Sequence, residues 1–244
     1  MPVGPASAGA NAAILRGGVA GHGSRAGVHS ARAGGAEAAA LAAIRSATAR
    51  GRVLHLFPAR TARTRWGGEP AWAAAVLMLG DRRQAGSAVV SGGAAAPYEP
   101  GLLALREGPL LEAALRALPE PPEVVIANAS GRDHPRGAGL ALHLGAMLEL
   151  PSVGVTDRPL LATGLDPGPE RGATSGLMLD RTEVARRLRS RVGARPIVVH
   201  SGWRTDLDTA VSVVLASTRR ARTPEPLRRA RRAARQARAD ALRG

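Results

Sequence analysis

Cysteine is absent from the 244 residues, which excludes a disulfide framework, a thiolate metal centre and a cysteine nucleophile. Lysine is absent too, so all 34 basic residues are arginine. Aromatics are few: one Tyr, one Phe and three Trp make each aromatic position informative. No apolar run approaches the ~18 residues of a bilayer-spanning helix, so no membrane partner is expected. Acids are scarce, 19 against 34 arginines, leaving a formal charge of +15. Such an excess favours an acidic partner, nucleic acid first. It sits at the ends: nine Arg and Glu37 alone over Met1 to Trp66, and ten Arg with Glu225 and Asp240 over Arg219 to Gly244. An all-arginine, Ala- and Gly-rich chain is also what a GC-rich genome encodes, so charge alone carries little functional weight.

The length suits one α/β domain with tails. Residues 1–34 are rich in Gly, Ala, Ser and Arg without apolar period and read as a disordered tail. Residues 35–70 form a poorly defined segment with an Ala-rich helix at 35–49, a short strand at Val53–Phe57 and a loop over 58–70. The domain proper spans 71–218. Its strands are read at Ala71–Leu79 and Ser87–Ser91 as a hairpin, then at Glu123–Asn128, Pro151–Thr156, Gly176–Leu179 and Pro196–His200. Helices are read at Gly101–Leu118, His134–Leu150, Thr182–Arg191 and Asp206–Ser217. Residues 219–244 are an Arg-rich helix or tail, with too few large apolar residues to hold a helix alone. Hairpin, helix and βα units in this order predict a mixed α/β sheet with helices on both faces. The chain is expected to be a cytoplasmic monomer.

Four segments carry chemistry: PYEPGLLALREGPLL (97–111), VVIANASGRDHPRGAGLALHLGAMLELPSVGV (124–155), TDRPLLATG (156–164) and RPIVVHSGWRTDLDTAV (195–211) with RTPEPLRRAR (222–231) behind it. Taken alone, Pro97-Tyr98-Glu99-Pro100 is either a proline turn with Tyr98 packed as a cap, or a rigid loop that presents an aromatic to a base step. Glu107 alone is one helix carboxylate, and His134-Pro135 alone is a helix start. Together, in order, spacing and wording, the segments resemble the endonuclease V family over roughly Ala71 to Arg231. The resemblance implies a ribonuclease H-like fold, Mg²⁺, and cleavage of one strand at the second phosphodiester bond 3′ to a deoxyinosine, a DNA-repair activity; some relatives act on inosine in RNA. It implies a substrate-binding set of Pro97, Tyr98, Glu99, Pro100, Gly131, His134, Arg136 and Arg204. Glu107, Asn128 and Asp157 fall at or beside catalytic and metal-binding positions.

The sequence departs from the family pattern where the charge matters. The family's Asp-Gly-His-Gly strand end is Asn128-Ala129-Ser130-Gly131 here, the Lys after Gly-Val-Ala is Asp157, and the His before the last helix is Trp203. Between Arg52 and Trp66 no acid stands where the first metal carboxylate is expected; that strand offers only His55. A hard cation held by few protein ligands depends on carboxylate charge, so catalysis is expected to be weak or lost. A relocated site of Glu107, Asp157 and Asp206 or Asp208 is a further expectation, although an acid at a helix start is commonly a cap. Two functions fit: an endonuclease V-type nuclease with reduced catalysis, or a noncatalytic nucleic-acid-binding protein on the same scaffold. A third, a basic accessory protein that docks an acidic protein, uses only the tails.

Overall fold

The computed structural model describes the backbone of residues 52–58 and all of 68–79 and 83–243. The expectations for residues 1–34, for a helix at 35–49 and for most of the 58–70 loop lie outside the described residues. Among the described residues eight strands form one sheet: β1 (Arg52–Pro58), β2 (Pro70–Leu79), β3 (Arg83–Gly93), β4 (Val125–Ala127), β5 (Ser152–Thr156), β6 (Thr174–Leu179), β7 (Thr182–Leu188) and β8 (Ile197–Ser201). Their spatial order is β3-β2-β1-β4-β5-β8-β7-β6. β1, β4 and β5 run parallel, and every other neighbouring pair is antiparallel. Among the described residues four helices cover the sheet: α1 (Leu103–Arg116), α2 (Leu140–Leu148), α3 (Leu207–Ala216) and α4 (Glu225–Ala241).

The two faces can be read from β2. Its run AWAAAVLML is apolar at consecutive positions because both faces are covered. Ala73, Ala75 and Leu77 pack with Leu111 and Leu115 of α1 and with Leu140 and Leu144 of α2. The alternate residues Ala74, Val76 and Met78 pack with Ala230 and Ala234 of α4. On that second face α3 sets Ala210, Val213 and Val214 against Ile126, Val153 and Val199, with Leu227 of α4 alongside. The C-terminal helix is therefore part of the fold. Its buried positions against β2 are the alanines Ala230 and Ala234, which leave room for Val76 and Met78 of the strand.

Two expectations are corrected. Thr182–Arg191 is not a helix: Thr182–Leu188 is β7, hairpinned to β6 through Asp180 and Arg181, both at positive φ (47° and 67°). That backbone is the tight hairpin turn glycine and asparagine usually mark, and Asp-Arg gives no such signal. The helix expected from His134 begins only at Leu140. Residues 131–139 fold back first, with Gly139 N–H donating to the Gly131 carbonyl at 2.7 Å and Gly137 at φ +63°. The strand expected at Val53–Phe57 is present as β1, between β2 and β4. Among the described residues no helix is long and apolar enough to cross a membrane.

Candidate nucleic-acid interface

Parallel β1, β4 and β5 put their C-terminal ends at one edge, and the β3–α1 loop comes to the same edge. This loop carries Pro97-Tyr98-Glu99-Pro100. Its root is fixed by Arg106, a buried arginine on α1 that donates to the Ala96 carbonyl at 2.8 Å and to Glu69 Oε2 at 2.6 Å. Ala94 N–H donates to the Glu69 carbonyl at 2.8 Å. Past the prolines, Leu102 N–H closes a turn onto the Glu99 carbonyl at 3.0 Å, and Gly101 takes φ +78°, which glycine adopts without strain. Arg136 then donates from Nη1 to the Gly101 carbonyl at 2.9 Å. With the loop held at both ends, Tyr98 stays 46% exposed, and Pro97, Glu99 and Pro100 are exposed beside it.

The segment that follows β4 supplies the other wall. His134 is buried beside Gly101, and its Nδ1 accepts from the Arg136 N–H at 3.2 Å. Burial holds the His134 ring below its ordinary pKa, helped by the Arg136 charge and opposed by Asp133 and a hydrogen bond with the Gly101 backbone. Asp133, fully buried, accepts three backbone N–H bonds from the loop after β5: Leu160 at 2.7 Å and Leu161 and Ala162 at 2.8 Å. It ties the two loops of the edge together. Sequence reasoning passed over Asp133 as filler before His-Pro-Arg; an acid inside that motif was the available signal. Gly131 is buried against β8, where a side chain would strike the Ser201 carbonyl and the His200 side chain. Close packing accounts for this glycine.

His200 was also missed. It is fully buried on β8, its Nε2 lies 2.9 Å from Thr156 Oγ1, and its Nδ1 has no hydrogen-bond partner. Burial pushes its pKa down to about 4, with Asp133 pulling weakly the other way, so the ring is neutral at physiological pH.

The remaining expected residues separate. Asn128 follows β4 at the interface edge, partly buried, and Glu107 lies partly buried on α1 one residue past Arg106. Asp157, one residue past β5, forms an ion pair with Arg222 at 2.7 Å and lines a cavity with Arg195 and Pro196. Arg204 is elsewhere. β8 runs antiparallel to β5, so Trp203 and Arg204 follow its end beside Ser152, at the opposite edge from Asn128. There Arg204 donates to the Glu149 carbonyl at 3.3 Å and lies 5.8 Å over the Trp203 ring. The relocated acid cluster is not assembled either. Asp206 caps α3 by accepting from Thr209 N–H at 2.6 Å, and Asp208 pairs with Arg186. Among the described residues no group of three or more His, Cys, Asp or Glu is placed to hold a metal ion.

The family model for endonuclease V matches residues 61–232. An endonuclease V of Streptomyces avermitilis is 43% identical over 158 residues, 65% of this chain and 69% of that one. The crystal structure of endonuclease V from the same organism superposes with a TM-score of 0.73 at 36% identity, covering 84% of this chain and 94% of that one. A Ciona intestinalis endonuclease V, solved with a 24mer DNA containing an inosine, shares the fold at TM-score 0.62 and 19% identity, covering 86% and 98%. The ribonuclease H-like sheet, the anchored Pro-Tyr loop and these likenesses agree: the chain belongs to the endonuclease V family.

Proposed function

We propose that this chain engages nucleic acid at inosine through the Tyr98 loop and the His134–Arg136 segment, and that its phosphodiester cleavage is far slower than that of a relative with a full carboxylate set. The observation that carries the reading is the anchoring of the loop on Arg136. A loop held at both ends inserts an aromatic into a base step with little ordering cost, and an unstable inosine pair lowers the cost of unstacking. On this reading the protein acts as a cytoplasmic monomer.

Magnesium is the ion the family resemblance implies, and the donor set does not fit it. Asn128 offers a carbonyl oxygen without charge, Asp157 is held by Arg222, and no acid stands between Arg52 and Trp66. Glu107 alone leaves a hard cation with most of its water. The Asp157–Arg222 pair also favours the second reading, a binding protein without catalysis.

Binding without a divalent ion tests the proposal. Fluorescence anisotropy in EDTA should give tighter binding to a duplex with one inosine than to the same duplex with a matched pair at that site. Equal affinity for both duplexes would contradict it.

A further inference from the structure

We propose that the cavity between the end of β5 and the start of β8 is a phosphate-binding pocket, distinct from the Tyr98 interface. It has a volume of about 470 Å³ and is lined by Asp157, Arg158, Asp166, Arg187, Arg195 and Arg222, with Pro196 at its wall. Four arginines against two aspartates leave two net positive charges, matched to a phosphate dianion. The volume falls in the range of small-ligand sites and admits more than one ion.

Two arginines build the frame. Arg222 donates from Nε to the Arg195 carbonyl at 2.7 Å, from Nη2 to the Pro196 carbonyl at 2.9 Å and from Nη1 to Asp157 at 2.7 Å. It joins the segment before α4 to the end of β5 and the start of β8. Arg187 pairs with Asp166 at 3.2 Å, and its buried Nε has no hydrogen-bond partner. The other two supply the grip. Arg158 and Arg195 are exposed, and their guanidinium groups make no hydrogen bond or ion pair among the described residues. Planar guanidinium forks converging on one cavity suit the tetrahedral oxygens of phosphate, which each fork binds through two N–H groups. The two aspartates hold Arg187 and Arg222 in place.

The phosphate can belong to a nucleic acid strand or to a free mononucleotide, and the experiment separates these. Isothermal titration calorimetry of the full chain at low salt would use inorganic phosphate, AMP and a ten-residue oligonucleotide without inosine. One-to-one binding of inorganic phosphate is expected, weakened at least tenfold in the Arg158→Ala/Arg195→Ala double variant. It should be unchanged in Tyr98→Ala, so a failure of the inosine reading leaves this result standing. Arg83→Gln/Arg116→Gln, which removes the same charge from distant surface, should keep the wild-type affinity. Competition between oligonucleotide and inorganic phosphate assigns the pocket to strand phosphates; AMP binding without oligonucleotide competition assigns it to a free nucleotide. No phosphate binding, or equal weakening in both double variants, would overturn the pocket.

Discussion

His200 and Tyr98 show how much a single position can demand. His200 titrates near 6.5 when unfolded and near 4 when buried, so the unfolded chain binds the extra proton between those values. Stability therefore rises with pH across that window; it is fully present above pH 6.5 and lost as pH falls through 4. The contribution is about 3 kcal/mol by linkage. Urea unfolding from pH 7 to 4 should show a shallower loss in His200→Gln than in the unsubstituted chain; parallel curves would place the histidine outside the acid response. Tyr98→Ala should lower the preference for inosine over a matched site about tenfold, within the ~1–3 kcal/mol of one base-stacking contact. An equal fall in both affinities would mean that Tyr98 only packs. The two residues differ in legibility. Tyr98 stands between two prolines as the sole tyrosine, so its motif was readable. His200 ends the run PIVVH, where a lone polar residue gives no sign that β5 and the Gly131 turn will close over it.

Among the elements, the loop after β5 and helix α4 depend on contacts far apart in sequence. Asp133 satisfies three amides of residues 160–162, so Asp133→Ala leaves them unpartnered at a cost of roughly 3 kcal/mol. Hydrogen exchange at Leu160–Ala162 should speed by at least tenfold, and unchanged exchange would show the loop to be held by other means. For α4, removal of residues 219–244 would strip Leu227, Ala230 and Ala234 from the sheet and unfold the domain, so charge is better tested by substitution. Arg232 and Arg235 are exposed on its outer face. In Arg232→Gln/Arg235→Gln the slope of log K against log salt should become shallower by up to about 2, while Leu227→Ala should cost ~2–4 kcal/mol of stability and leave the slope alone. An unchanged slope in the double variant would remove α4 from the nucleic-acid surface. The continuous apolar run of β2 announced a buried strand. The burial of α4 did not show in its sequence, because it meets Val76 and Met78 of β2 with Ala230 and Ala234, which carry little apolar signal of their own. The β6–β7 hairpin was read as part helix because Thr182–Arg191 has apolar residues at Val184, Ala185 and Leu188, a spacing that fits either period.

For the whole molecule, the proposed function separates recognition from chemistry at one sheet edge. The Tyr98 loop, Arg136, His134 and Asp133 form a connected wall, whereas the neighbouring strand ends offer Asn128 and an ion-paired Asp157. Both halves were partly legible: the motif wording identified the wall, and the missing acids were visible as substitutions. What could not be read was placement. Arg204 and Asp206 follow β8, and the antiparallel pairing of β8 with β5 carries them to the far edge. The most direct test is the nicking rate of a single inosine-containing strand with Mg²⁺, for the unsubstituted chain and for Asn128→Asp. The account predicts a slow or undetectable single nick in the unsubstituted chain, a faster one in Asn128→Asp, and no loss on Asp157→Asn. Nicking by the unsubstituted chain at the rate of a relative with all its carboxylates, unaffected by Glu107→Gln, would contradict it.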